Sequence, residues 1–271
     1  MSTPILIKNA RCVSSSGIVQ QDVLIRDGKI AQLGQVKESA AEKVIDGTHL
    51  YLLPGALDPQ VHFRDPGLTQ KEDLRTGSMA AASGGVTSFF DMPNTKPSTI
   101  TIEGMAERKR IAAEKCVVNY NFFIGATNTN LDVLNEVENV PGIKIFMGSS
   151  TGDLLVSDTR DLDNIFGNGS RLIAVHAEDD EIINAAQEIY KNSTDFNHHQ
   201  FVRPADAALK ATTLAVELSI KYQRRLHILH MTTLDEVRYL EIQKSKAPIS
   251  AEVCPQHFLL SAPHVYQKLG A

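Results

Sequence analysis

Tryptophan is absent from these 271 residues, and aromatic side chains make up only 6% of them. A core must therefore be built mainly from the aliphatic part of the 42% hydrophobic share, which is enough for one large core with or without a small satellite. Cysteine is scarce as well: Cys12, Cys116 and Cys254 stand far apart, with no CxxC pair and no even set. That excludes a disulfide framework and leaves three small buried apolar residues in a reducing compartment. No basic block accompanies the formal charge of -5, so nothing calls for nucleic acid. The longest apolar stretches fall well short of the roughly 18 residues a membrane span requires. The first seventeen residues lack the basic start and apolar middle of a secretion signal. The expectation is a soluble, cytoplasmic protein with neither a membrane nor a nucleic acid as partner.

What the chain does have is a set of apolar runs that carry, at or near their ends, residues able to bind metal or hold an anion: His62, Asn94, Lys144, His176 and His230. The first run, residues 52–57, leads into Asp58-Pro59-Gln60-Val61-His62-Phe63-Arg64. Strand alternation over that segment puts Gln60, His62 and Arg64 on one face. Gly85 to Met92 opens into Pro93-Asn94-Thr95, Gly142 to Met147 carries a lysine among apolar neighbours, and two further runs close in His176 and His230. Polar groups arriving from separate strands at one rim describe the mouth of a (β/α) barrel.

Organisation along the chain agrees. Residues 1–53 read as short strands broken by turns at Ser14-Ser15-Ser16-Gly17 and Arg26-Asp27-Gly28, the pattern of a small β-sandwich. Residues 54–271 switch to strand, loop and helix in repeats the size of a βα unit. Helices are expected at 74–83, 102–114, 178–190, 205–222 and 234–244. Seven strands are visible, near 55–62, 86–92, 117–124, 142–147, 171–176, 226–230 and 249–254, so the expected fold class is α/β, a TIM-type (β/α)8 barrel whose eighth strand lies beyond Ala271.

A lone histidine at a strand end is more often hydrogen-bonded than a ligand, but three ending different barrel strands argue jointly for a site. Lys144 is costly to bury as a cation, so it must pair, reach solvent or lose its charge. His198, His199 and His264 sit in polar or turn-like surroundings and read as solvated.

At this point the sequence resembles the cyclic amidohydrolases, and the dihydroorotases among them. The resemblance runs from the N-terminal strands through Pro54-Gly55, Asp58 to Arg64, Thr76-Gly77, Gly85-Val86-Thr87, Met92-Pro93-Asn94-Thr95, Ile143 to Met147 and Val175-His176-Ala177-Glu178 to His230 and Val253-Cys254-Pro255-Gln256-His257. It implies a zinc site with His62, Lys144 (carbamylated), His176 and His230 as ligands. It also implies a substrate carboxylate held by Arg64 and Asn94, with His257 as a further substrate contact. Arginine offers a planar donor fork for a carboxylate and asparagine an amide donor.

Two departures qualify the resemblance. Gln60 stands where the family carries histidine, and a neutral amide oxygen is a poor zinc ligand. The proton-shuttling aspartate of strand eight has no counterpart before Ala271, so no catalytic residue is identified. Both losses fall on one of the two metals, leaving Lys144, His176 and His230 as the side where zinc is expected. The resemblance thus implies a zinc-dependent enzyme interconverting N-carbamoyl-L-aspartate and L-dihydroorotate in pyrimidine synthesis, a homo-oligomer. The alternatives are a hydantoinase- or allantoinase-like ring amidohydrolase, and a non-catalytic dihydroorotase-like subunit that scaffolds aspartate transcarbamoylase.

Overall fold

Turn chemistry shapes the first fifty residues. In the computed structural model, which describes residues 3–148 and 154–269, strands β1 (Ile5–Ser14) and β2 (Gly17–Arg26) pair as an antiparallel hairpin. β2 returns antiparallel as β3 (Lys29–Gly34) through Asp27 and Gly28, both at positive φ (52° and 71°), the geometry an Asp-Gly turn favours. β4 (Lys43–Asp46) and β5 (Tyr51–Leu52) then run parallel to β1, one after the other along its second edge. Because β1 carries partners on both edges, the hydrogen bonds join all five strands into one sheet among the described residues. Local alternation fixes strands but not which sheet they join. Leu6, Leu24 and Val36 make the small core of this unit, which spans Met1–Ala56.

The second compact unit, Leu57–Ala271, holds the barrel. Its strands are β6 (Ala56–Val61), β7 (Val86–Asp91), β8 (Asn119–Phe122), β9 (Ile124–Gly125), β10 (Ile143–Phe146), β11 (Ile173–His176), β12 (Leu226–Ile228) and β13 (Ile249–Ala251). They form two ladders, β6-β7-β8 and β9-β10-β11-β12-β13, with parallel pairing at β7·β8 and throughout the second. β8 and β9 are one barrel position interrupted at Phe123, whose N–H donates to Asp91 O at 3.0 Å. This gives the seven positions read from the sequence, separated by helices as a (β/α) barrel requires.

Capping explains where those helices begin. Leu74–Ser83 and Ala205–Tyr222 have the expected bounds; Asp73 caps the first, accepting from Thr76 N at 2.7 Å. Ile102–Lys115 extends one residue past expectation. The helix expected at 178 begins instead at Asp180, because Asp179 is its cap and accepts from Ile182 N at 3.0 Å. Helices Leu131–Glu136 and Thr159–Gly167 were not anticipated; the second buries Leu162, Ile165 and Phe166, an i, i+3, i+4 stripe behind the Asp158 cap. No described helix is long and apolar enough to cross a membrane.

Parity along β10 decides which way its lysine faces. Ile143 and Ile145 join the main core with Phe89, Ile173, Val175, Leu226 and Ile228, against helix residues such as Leu162, Ala215 and Leu240. Fully burying each such aliphatic side chain stabilises by about 1.5–3 kcal/mol. Lys144 and Phe146 must then face the other way. Ala174, the register partner of Lys144, packs with Met92, Phe123 and Leu229 in a separate apolar cluster. Residues paired in register across parallel strands share a face, so Lys144, Ala174, His227 and Ser250 form one inward row. His176, paired with Phe146, stands one row above.

Candidate metal and substrate site

The strand ends position most of the residues singled out from sequence. His62 follows β6, Asn94 follows β7 through Met92-Pro93, His176 is the last residue of β11, and His230 lies two residues past β12. Lys144 differs: it is the second residue of β10 and sits below the rim rather than at it. Arg64 also departs from expectation. β6 stops at Val61, and the backbone at Arg64 turns to φ 62°, so the alternation that would align Gln60, His62 and Arg64 on one face does not extend that far. Arg64 is presented by a loop.

His176 and His230 come together. Nδ1 of the first lies 3.1 Å from Nε2 of the second, with the rings edge to face at 4.9 Å between centroids. On the opposite side of its ring, His176 Nε2 is 2.6 Å from Glu178 Oε2. Donation of the Nε2–H to that carboxylate leaves Nδ1 with the lone pair, directed toward His230. Glu178 is itself held by Arg203, whose Nε donates to Oε1 at 2.9 Å and whose guanidinium also meets Oε2. Burial pushes the Glu178 carboxyl up, but the hydrogen bonds from His176 and Arg203 outweigh it and bring it down to about 2. A carboxylate behind a histidine fixes its tautomer and orientation.

All three rim histidines are neutral at ordinary pH. Burial, with Lys144 and the neighbouring His176 adding to it, pulls His230 down to about 3. Burial pulls His62 to about 4 against the opposing hydrogen bond to Asn94, and lowers His176 too. Neutral imidazoles are the form that binds metal. His62 Nδ1 lies 2.7 Å from Asn94 Oδ1, so Asn94 spends its carbonyl on the histidine and keeps its amide N–H groups for something else.

Lys144 is 1% exposed, its Nζ has no hydrogen-bond partner, and the Phe146 ring centroid lies 4.4 Å from it. Burial drives its pKa well below the usual lysine value, with the Glu252 carboxylate only partly opposing. A buried amine without a hydrogen-bond partner is the unfinished part of this site.

Among the described residues no three His, Cys, Asp or Glu side chains converge as a ready metal cluster. Two imidazoles converge, and the third group is a lysine, which ligates only after conversion to a carboxylate. The donor set fits zinc on that basis. Two nitrogens each about 2.0–2.1 Å from a tetrahedral zinc would stand about 3.3 Å apart, close to the 3.1 Å observed.

Among the described residues no hydrogen bond or ion pair engages the Arg64 side chain. His257 sits in the short helix Pro255–Leu259, its Nδ1 accepting from Cys254 N at 3.3 Å, and no contact among the described residues joins it to Arg64 or Asn94. His199 likewise turns away, its Nδ1 3.0 Å from Tyr266 Oη. Several polar partners escaped the sequence reading. Besides Glu178 and Arg203, His227 bridges Ser250 Oγ (2.8 Å) and Glu252 Oε2 (3.1 Å) inside the barrel. Nothing in local pattern pairs such residues; only strand register does. Two open grooves lie elsewhere, one around Lys8, Asp22 and Lys37 and one beside β13 around Leu240 and Ile249, and neither holds a group suited to this chemistry.

The fold agrees with the comparisons. Residues 51–159 match the Amidohydrolase family. It is similar to a dihydroorotase of Methanosarcina acetivorans, at 34% identity over 94% of this chain and 57% of the relative. An allantoinase of Bacillus velezensis is 32% identical over 100% of this chain and 62% of its own length. Among solved structures, the L-hydantoinase (dihydropyrimidinase) of Arthrobacter aurescens superposes with a TM-score of 0.92 at 27% identity, over 99% of this chain and 62% of that one. The chain thus spans about three fifths of the length of the relatives it matches.

Proposed function

We propose that this chain is the zinc-binding and substrate-recognising portion of a cyclic amidohydrolase of the dihydroorotase type, acting on L-dihydroorotate and N-carbamoyl-L-aspartate in pyrimidine synthesis. The observation that carries the reading is the buried, unpartnered amine of Lys144 beside a facing pair of neutral histidines. A neutral lysine amine can add to carbon dioxide: its nitrogen bonds the carbon, a proton leaves to solvent, and the product is a carboxylate on the same side chain. Lys144 so modified, with His176 and His230, would hold one zinc. When bound, zinc lowers the pKa of a water to about 7 and so makes hydroxide available at neutral pH.

The chain's own residues do the rest. Glu178 and Arg203 keep His176 turned with its lone pair inward. Asn94 orients His62 through its Nδ1, which leaves the other ring nitrogen of that histidine available. Arg64 offers its guanidinium fork, and Asn94 its amide N–H groups, to the carboxylate that distinguishes dihydroorotate from simpler cyclic amides. That combination favours dihydroorotate over the hydantoin- or allantoin-type substrate that the names of other relatives suggest. Orotate binding tests it: Arg64→Lys keeps the charge but loses the fork and should weaken binding by about tenfold, a difference of about 1.4 kcal/mol. Undiminished orotate affinity would sink the dihydroorotase reading.

One observation favours a second reading. Gln60 supplies no imidazole to the first metal position, which suits a non-catalytic subunit that scaffolds aspartate transcarbamoylase. Co-purification with that enzyme, in a zinc-loaded protein without turnover, would select it.

A further inference from the structure

Beneath the two loops that carry Arg64 and Asn94 lies the most deeply buried ion pair of the described residues. Arg108 and Asp91 have side chains 1% and 0% exposed, joined by Arg108 Nη2 to Asp91 Oδ2 at 2.7 Å. A buried pair of this kind is weak evidence for stability, since well-packed apolar residues of similar volume often serve as well or better. Its hydrogen bonds show what apolar residues could not replace. Asp91 Oδ1 accepts from Phe63 N (3.3 Å), the amide between His62 and Arg64, and from Met92 N (2.8 Å), two residues before Asn94. Arg108 Nη1 donates to Met92 O (2.8 Å) and to Thr99 Oγ1 (3.3 Å), while Thr99 N donates to Pro93 O at 2.9 Å. The guanidinium is fixed from a further side by the Phe122 ring, 4.4 Å from the Arg108 Cζ. One ion pair therefore grips the backbone of both loops next to the residues that would hold the substrate carboxylate. Arg64 needs such a hold, because its backbone occupies a left-handed conformation (φ 62°) that a side chain with a Cβ rarely adopts.

We propose that Asp91 and Arg108 are positioning residues that set the spacing of Arg64 and Asn94, and through it the preference for ring substrates bearing a carboxylate. This rests on the reading of Arg64 and Asn94 given above. The pair touches neither substrate nor metal; it acts through the loops. A displacement of about 1 Å in a positioning group can cost up to a hundredfold, so the effect is measurable in binding alone.

The test compares orotate with uracil, the same ring without the carboxylate, by calorimetry on the intact zinc-loaded protein. Arg108→Lys keeps the charge and removes the fork. Orotate affinity should fall by about tenfold or more, within the range such displacements produce, while uracil affinity and zinc content stay as in the parent. Asp91→Asn keeps a carbonyl oxygen for the Phe63 and Met92 amides and removes the counter-charge; the same selective loss is expected. Equal losses for orotate and uracil, no loss for either, or failure of both variants to fold would make the pair an ordinary stability element and overturn the proposal. Arg64→Lys is run alongside. If it leaves orotate binding intact, the reading of the site is at fault; if it weakens orotate while Arg108→Lys does not, only the positioning role falls.

Discussion

Replacing Lys144 by methionine should make the metal-free protein more stable and the metal-bound protein unattainable. Lys144 Nζ is buried without a hydrogen-bond partner, beside the Phe146 ring. Leaving a buried polar group unsatisfied costs about 1–3 kcal/mol, and the flexible methionine side chain fills a similar volume without that cost. For a unit of this size each kcal/mol moves the melting temperature by about 2–4 °C, so Lys144→Met should melt roughly 2–12 °C higher than the parent in chelator. Zinc should reverse the order, because the parent gains the binding free energy and the variant has lost a ligand. The assay is thermal denaturation in chelator and again with zinc and bicarbonate, with zinc titration by calorimetry beside it. A metal-free variant that melts below the parent, or one that binds zinc as tightly, would refute the reasoning, since either shows that the lysine amine is a structural group rather than a ligand in waiting.

Zinc content after dialysis should settle at about one per chain, because Gln60 offers a poor ligand to the first metal position; two stoichiometric zincs by elemental analysis would contradict this. Glu178→Gln removes the charge that holds His176 in its tautomer, and zinc affinity should fall by about 10–100-fold with little change in melting temperature without metal. Acid should also loosen the N-terminal sheet. The Asp22 carboxylate accepts from Asn9 N (2.9 Å) and Val36 N (3.0 Å), and these hold its pKa below 3.8. A depressed carboxyl contributes stability that is fully present above the unfolded value and lost as pH falls through the folded one. Amide exchange at Asn9 and Val36 should therefore accelerate on acidification below 3.8, and Asp22→Asn should flatten that dependence; an unchanged pH profile in the variant would assign the acid sensitivity elsewhere.

The barrel was legible in the sequence because parallel strands buried on both faces read as apolar runs: Ile143–Phe146 and Ile173–Val175 are buried throughout, so a lysine within the first had to stand out. Helices with a side-chain cap and a clean stop, such as Leu74–Ser83, were equally plain. What stayed hidden is what register and long-range contact create. Glu178 and Arg203 lie 25 residues apart, Asp91 and Arg108 17, and His227 and Glu252 25, and no local period links them. The one misplacement within the site follows from the same cause. Strand alternation carried Gln60, His62 and Arg64 to one face, yet it is a property of extended backbone, and the chain leaves that state between Val61 and Arg64. The residue that holds the departing loop, Asp91, is on the neighbouring strand, so its influence on Arg64 could be seen only once β6 and β7 lay side by side. Residue type thus marks the strand ends of a rim like this one, while the buried pair beneath the Arg64 and Asn94 loops leaves no sign of itself in sequence.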